Sequence, residues 1–221
     1  MGVVTNDDGE MEITLVRGDT DDFLVTVTDD ATPTPNKINL SQAVDGTASR
    51  NAVVRFAVKS KPEDQDNTEA LCFKHSAFDD EIPFLVQAGA TLGQCRVLLD
   101  KPDTEEGDPD LEYRWDIEVT RQDILRTAAS GGTVSMVAGS AVITGVGTAF
   151  QNAKVGDVFQ PLGVLNAGKP AIVQSVASAT SMTVDHSNFQ TEPGVTFEVR
   201  RGKHKTAARG PFVLQSGVVA V

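Results

Sequence analysis

The side chains that most often carry chemistry in proteins are few in this chain and widely separated. The three histidines are His75, His186 and His204, and the two cysteines are Cys72 and Cys95. None of the histidines has a neighbour at the spacing of a metal-ligand pair, and no such spacing links them to the cysteines. The sequence therefore predicts no metal site and no cofactor.

The common catalytic and nucleotide-binding motifs are also missing from the sequence. It contains no Gly-x-Ser-x-Gly elbow, no phosphate-binding loop and no dinucleotide fingerprint. Glycines are frequent in 139–147, but no helix follows them, so tight turns explain them better. Asp79, Asp80 and Glu81 could form the paired carboxylates of a glycoside hydrolase, although a surface acidic cluster is favoured. We therefore expect that the protein is not an enzyme.

Three charged segments could bind ions or partners. The acidic loop Asp103–Asp110 could hold calcium, but it lacks the alternate acidic positions of a calcium-binding loop, and a solvated loop is favoured. The basic segment Arg200–Lys205 could bind an anion, although its return to pair with the acidic body of the chain is favoured. The triplet Arg17–Asp19 spells an integrin-binding motif, but with Thr20 it is more simply interpreted as a turn.

Charge is distributed unevenly along the chain, whose formal net charge is −12. Residues 1–132 contain 12 Lys and Arg against 27 Asp and Glu, residues 133–199 contain 2 against 4, and residues 200–221 contain 5 against none. The acidic N-terminal block argues against nucleic-acid binding. No apolar run approaches the roughly 20 residues of a membrane-spanning helix. Residues 1–10 do not resemble a signal peptide, so we expect cytosolic synthesis and two buried free thiols rather than a disulfide.

Alternating apolar and polar residues predict an all-β fold. In Tyr113–Arg121 apolar side chains recur at every second position, which predicts the central strand of a half-buried antiparallel sheet. Abundant Val and Thr, in short runs broken by Gly and Pro, also favour strands. Residues 1–10 are predicted to be a flexible arm, and Asp100–Glu112 an acidic loop. The other strands predicted before residue 113 are Met11–Val16, Phe23–Thr28, Ala52–Val58, Ala70–Lys74 and Gly93–Leu99, with a short edge segment at Ile38–Leu40.

The spacing of these strands is typical of a β-sandwich. Its last strand must lie beside Tyr113–Arg121, and Phe212–Val221 supplies such a strand. We predict that Asp123–Ala128 and Lys205–Leu214 are the arms of one hairpin, with a second domain inserted between them. The predicted host domain is 1–130 plus 201–221. The predicted insert, 131–200, is low in charge and has about six short strands, the dimensions of a small β-barrel or sandwich.

Several segments resemble a known family of phage proteins. Ile13–Thr20 and Val25–Asp30 form a strand, an Arg-Gly-Asp-Thr turn and a strand that ends in Thr-Asp-Asp. This arrangement is similar to the opening of the N-terminal domain of baseplate upper proteins and tail-fibre adaptors of tailed bacteriophages. Later parts of that pattern fit Val53–Val58, Tyr113–Val119 and Arg209–Leu214. The insert resembles a second recurrent phage module at Gly132–Ser135, Val142–Phe150, Val155–Asp157 and Ser175–Val184.

The resemblance implies an immunoglobulin-like sandwich that attaches a receptor-binding or fibre module to the virion. We therefore predict a non-enzymatic virion structural protein, an adaptor or decoration subunit of the tail, baseplate or neck, assembled in the host cytoplasm. Its predicted partners are other virion proteins and copies of itself in a symmetric ring, with no nucleic acid and no membrane. The alternative is a module that binds a host-surface glycan through insert residues such as Asn188 and Gln190.

Overall fold

The computed structural model of the 221-residue chain describes residues 2–5, 11–16, 20–28, 36–41, 51–60, 70–77, 81–127 and 129–215. The fold is 50% strand and 7% helix, with an antiparallel sheet as its main feature. The predicted all-β sandwich class is therefore confirmed. The triplet Arg17–Asp19 and the pair Asp79 and Asp80 lie outside the described residues, as do residues 216–221 of the predicted last strand.

The described residues form fourteen strands, one α-helix and two short 3-10 helices. The strands are β1 Gly2–Thr5, β2 Met11–Val16, β3 Asp21–Thr26, β4 Val53–Lys59, β5 Cys72–His75, β6 Gln94–Leu99, β7 Tyr113–Arg126, β8 Thr133–Met136, β9 Val142–Val146, β10 Val158–Pro161, β11 Ala171–Ser178, β12 Ser181–Val184, β13 Glu192–Val195 and β14 Phe197–Gln215. The α-helix, α1, is Lys101–Glu105, and the 3-10 helices are Gly89–Thr91 and Phe150–Asn152.

The chain divides into two compact units. The first unit comprises residues 1–38, 54–119 and 206–221, and the second comprises residues 39–53 and 120–205. Strand β7 passes from the first unit into the second after Val119, and β14 passes back after Lys205. The predicted domain boundaries at residues 130 and 201 stay a prediction.

The sheet of the first unit is built around β7. In the strand order β14–β7–β4–β5, β7 lies between hydrogen-bonded neighbours, so its predicted central position and its pairing with β14 are confirmed. Strand β2 pairs with β14 in parallel, and β3 pairs with β6 in a separate antiparallel sheet. One face of the main sheet is apolar because alternate side chains share a face. Phe23, Phe56 and Trp115 pack there with ring centroids 5.3–6.5 Å apart.

Two predictions for the first unit are wrong in detail. Gly2–Thr5 were assigned to a flexible arm, but they pair with β2 as β1, since this segment contains β-branched residues that suit a strand. The predicted acidic loop contains α1. A capping box at Asp100 and Pro102 in the first turn favour the start of this helix. Asp123–Arg126, predicted as part of a hairpin arm, is the end of β7 in the second unit, and β7 pairs with β14.

The second unit is a smaller antiparallel arrangement with its own aromatic core. Its strand order is β13–β8–β9–β12–β11–β10–β14–β7. Phe159 and Phe197 have ring centroids 5.7 Å apart, and Phe150 meets Phe197 edge-on at 5.6 Å. Ile143 and Met182 are fully buried in the same cluster. The chain leaves this core along β14, which runs without a break from Phe197 to Gln215.

We predict that replacing Gly202 with Ala destabilises the second unit. A Cβ at Gly202 would lie 2.1 Å from the carbonyl oxygen of Gly156 and 2.9 Å from Cγ2 of Thr120, so backbone would have to move. Overpacking of this kind lowers the free energy of unfolding by about 1–3 kcal/mol. Gly131→Ala is the control, because a Cβ there meets no atom within 4 Å. Urea unfolding curves in which the two variants coincide would contradict the prediction.

Candidate functional site

The first unit contains a group of polar side chains that we call the lysine cluster: the buried Cys72 and Lys74 and the partly buried Glu81 and Asp103. In the antiparallel pair of β4 and β5, Lys74 stands opposite Phe56 and Cys72 opposite Val58. Directly opposed residues point to the same face of a sheet. Phe56 and Val58 are fully buried, and Lys74 is only 5% exposed. The lysine therefore points into the apolar face of the sheet.

Lys74 forms an ion pair with Asp103. Its Nζ atom lies 2.7 Å from Oδ2 of Asp103, and both side chains are largely buried. Helix α1 positions the aspartate, because the backbone N–H of Asp100 also donates to Oδ2 of Asp103, at 2.5 Å. Thr104, the next residue of α1, is completely buried. Strand β5 and α1 thus hold the two charged groups in direct contact.

The environment shifts the pKa values of three groups in the lysine cluster. Burial raises the pKa of Glu81, and the charge of Asp103 adds to this, although the backbone N–H of His75 and the Lys74 charge oppose it. Burial likewise raises the pKa of Cys72, and the adjacent Asp103 raises it further. Burial alone would lower the pKa of Lys74, but its hydrogen bond to Asp103 and that carboxylate's charge outweigh it and raise the pKa.

The structure changes the interpretation of several residues that the sequence had singled out. Asp103 was placed in a solvated loop, but it faces inward to Lys74. Glu81 was placed in a surface acidic cluster, but its carboxylate accepts a hydrogen bond from the backbone N–H of His75 at 3.0 Å. Cys72 and Cys95 are buried free thiols, as predicted, and burial raises the pKa of Cys95 to about 12.

The histidines make local hydrogen bonds. Nδ1 of His75 accepts from the backbone N–H of Ala77 at 2.9 Å. Nδ1 of His186 accepts from the N–H of Asn188, its Nε2 lies 3.2 Å from the carbonyl oxygen of Pro170, and its ring stacks on Phe189. Both nitrogens of His186 are therefore used in hydrogen bonds. Nδ1 of His204 lies 3.1 Å from Oγ1 of Thr120.

The basic segment Arg200–Lys205 pairs with carboxylates. Nε of Arg200 lies 3.0 Å from Glu198, and Arg201 contacts both oxygens of Asp157, at 2.9 and 2.7 Å. Pairing with carboxylates is thus observed for these two arginines, but their pairing with the acidic body of the chain is not. Their partners belong to the second unit and not to the acidic N-terminal block.

A second candidate site is the apolar loop, residues 162–168 of the second unit. Oε1 of Glu192 accepts hydrogen bonds from the backbone N–H groups of Val164 and Leu165, at 2.8 and 3.2 Å. Oε2 of the same carboxylate accepts from Nδ2 of Asn166 at 3.0 Å. The chain can approach this closely because a Cβ at Gly163 would lie 2.5 Å from the Glu192 carboxylate. The Glu192 carboxylate therefore fixes three consecutive residues of the loop by hydrogen bonds.

Asn166 fixes the other side of the apolar loop. Its completely buried side chain accepts from the backbone N–H of Gln190 at 2.9 Å and donates to the Gln190 carbonyl at 3.0 Å. The loop nevertheless presents apolar side chains to solvent, since Val164 is 91% exposed, Leu165 48% and Leu162 46%. Scattered exposed apolar residues are common, but three on one rigid loop form a candidate contact surface.

The first unit also has an open cavity of about 530 Å³ beside the start of β7. Leu111 and Phe212 contribute apolar walls, and Tyr113 also lines the cavity while its hydroxyl accepts a hydrogen bond from the N–H of Asp108 at 2.9 Å. Arg114 lines the cavity as well. No nucleophile and general base are paired at this surface among the side chains that the structure describes.

Comparisons with known proteins found no relative of this chain. No protein-family model matches it, and neither curated protein sequences nor solved structures gave a match. Within the described part of the chain, no helix has the length and apolar character needed to cross a membrane.

We predict a pH-dependent effect of Glu81→Gln. A carboxyl group whose pKa is raised by folding stabilises the protein below its unfolded value near 4.5, and that contribution is lost as pH rises through the folded value. The glutamine cannot titrate, so the variant should gain stability relative to wild type as pH rises from 4.5 towards neutrality. Urea unfolding across that range measures the difference, and parallel stability curves would contradict the raised pKa.

We also predict that Glu192→Gln loosens the apolar loop. An amide cannot accept all the hydrogen bonds that the carboxylate takes from Val164, Leu165 and Asn166, and each hydrogen bond lost weakens the attachment of the loop by about 0.5–1.5 kcal/mol. Amide hydrogen exchange of the loop should therefore accelerate. Glu106→Gln, at an exposed position of the first unit, is the control. Unchanged exchange in the Glu192 variant would show that the carboxylate does not pin the loop.

Proposed function

We propose that the chain is a non-enzymatic structural protein of a tailed-phage virion, an adaptor or decoration subunit of the tail, baseplate or neck. The resemblance of Ile13–Thr20, Tyr113–Val119 and Arg209–Leu214 to phage adaptor domains supports this role. The all-β fold is compatible with it, because such a subunit acts through surfaces that rigid sheets position.

The apolar loop is the observation on which the proposal mainly rests. It presents exposed apolar side chains on a backbone that a carboxylate and a buried amide fix, and such exposed apolar surfaces often mark contact sites. Because Glu192 and Asn166 already order the backbone, docking of Val164 and Leu165 would cost little further conformational entropy. We assign the apolar loop as a contact surface between subunits.

The distribution of charge favours another copy of the chain as the occupant of this surface. Copies with a net charge of −12 repel one another, and most of the negative charge lies in residues 1–132. Residues 133–199 carry only 2 basic and 4 acidic side chains, and the apolar loop itself carries none. Contact through the loop brings copies together where repulsion is weakest.

The glycan-binding alternative has one observation in its favour. The side chain of Gln190 is exposed, while its backbone groups are held by Asn166. A rigid amide at the surface is a suitable hydrogen-bonding group for a sugar hydroxyl. Saturable binding on a glycan array that Gln190→Ala abolishes would favour this alternative over the structural role.

The proposed role is tested on particles and on the purified chain. Mass spectrometry of phage particles from cells that carry the gene should detect the chain at a fixed ratio to the other structural proteins. Sedimentation of the purified chain should show self-association that Val164→Asp weakens at least tenfold, because a buried charge is costly. Val146→Asp, at a 75% exposed valine elsewhere in the second unit, is the control.

Two outcomes would contradict the proposal separately. Absence of the chain from particles would remove the virion role. Equal self-association of the Val164→Asp and Val146→Asp variants would remove the apolar loop as the contact surface.

A further inference from the structure

We propose that Lys74 and Asp103 become joined by an isopeptide bond, an amide between Nζ of the lysine and Cγ of the aspartate, which forms within the folded first unit. Glu81 would transfer the protons of this reaction. The inference concerns a covalent modification of the chain and does not depend on the proposed virion role.

Contact between the reacting groups is the first argument. Nζ of Lys74 is 2.7 Å from Oδ2 of Asp103, and a carbon–oxygen bond of about 1.2 Å places Nζ within roughly 4 Å of Cγ. Strand β5 holds the amine and α1 holds the carboxyl group, with Asp100 donating to the same oxygen. Bringing two separate molecules together costs entropy, and this cost is a large part of the barrier to amide formation. The fold has already met this cost by holding the two groups in contact.

Burial is the second argument. An ion pair taken out of water gains little net stability, and an apolar pair of similar size often serves as well. Lys74 nevertheless occupies a position opposite Phe56 on the apolar face of the sheet. A neutral amide would fit this position better than two charges, because it removes both ions. Exclusion of water also protects the product from hydrolysis.

The reaction balances without any added reagent. A proton first passes from the Lys74 ammonium to the Asp103 carboxylate that it contacts. This step is uphill, because the pairing raises the pKa of Lys74. The free amine attacks Cγ, and the Nζ–Cγ bond forms. A Cγ–Oδ bond then breaks, and the oxygen leaves as water with one proton from the former carboxyl group and one from the amine. Nothing is oxidised or reduced, and the chain becomes lighter by one water molecule.

Glu81 is suited to move these protons. The backbone N–H of His75, the residue after Lys74 on β5, holds the Glu81 carboxylate at 3.0 Å. Glu81 interacts electrostatically with both Lys74 and Asp103, and its burial favours the protonated form that can donate to a departing oxygen. After donating, its carboxylate can accept the proton from nitrogen. The thiol of Cys72, kept protonated by burial and hydrogen-bonded to Asp103, adds a donor to the carboxyl group and does not compete as a nucleophile.

The bond would connect parts of the first unit that are far apart in sequence. Lys74 lies on β5, at the end of the main sheet, and Asp103 follows β6, which belongs to the two-stranded sheet. A link between residues 74 and 103 restricts the unfolded chain as a disulfide would. An inward-pointing lysine on an edge strand can also discourage the addition of another strand without any covalent bond. A mass measurement distinguishes the amide from the ion pair.

Intact mass spectrometry of the purified full-length chain under denaturing conditions provides the measurement. We expect the wild-type mass to lie one water below the value calculated from the sequence, and a protease digest to yield a branched peptide containing Lys74 and Asp103. Lys74→Arg and Asp103→Ala should have their full calculated masses. Lys101→Arg is the matched control and should lose the water, because Lys101 forms only an exposed ion pair with Glu105.

Glu81→Gln separates proton transfer from structural support. In this variant we expect the water loss to proceed at least tenfold more slowly after refolding, while the variant still folds. A rate equal to wild type would remove Glu81 from the mechanism. A wild-type chain that keeps its full calculated mass after prolonged incubation at neutral pH would overturn the isopeptide bond, as would a water loss that maps to other residues.

Discussion

The alternation of side chains along β7 is the constraint on which the first unit depends. Trp115 and Ile117 point into the apolar core, where Trp115 meets Phe56 with ring centroids 6.2 Å apart. On the other face Glu118 pairs with Arg55, and Asp116 lies 3.2 Å from Lys59. A shift of one residue in register would bury these charges and expose the rings, so the pairing of β7 with its neighbours has one stable arrangement.

Buried polar groups give both units their local precision. In the first unit the ion pair of Lys74 and Asp103 ties β5 to α1, and in the second unit Glu192 and Asn166 fix the apolar loop. Burial of such groups is unfavourable unless every partner is present. Each cluster therefore holds its surroundings in one geometry. The first cluster brings a lysine ammonium against a carboxylate, and the second displays apolar side chains on an ordered backbone.

Several elements were predictable from the sequence because a strand with one buried face has a period of two residues. Met11–Val16 was predicted with its observed bounds, and Tyr113 was correctly placed at the start of the central strand. Helix α1 was missed, since its five residues are too few for a helical period and its acidic composition suggested a loop. Gly2–Thr5 was missed because only its pairing with β2 defines it as a strand.

The sequence by itself determined the all-β class, the alternating faces of the strands and the free state of the two cysteines. Only the tertiary structure decided which polar residues meet. Lys74 and Asp103 are separated by 28 intervening residues, and Glu192 lies far along the chain from the loop that it pins. Local periodicity reports which face of its own strand a residue occupies. It carries no information on what the fold brings to that face, because non-local contacts depend on strand pairing and on the packing of whole elements.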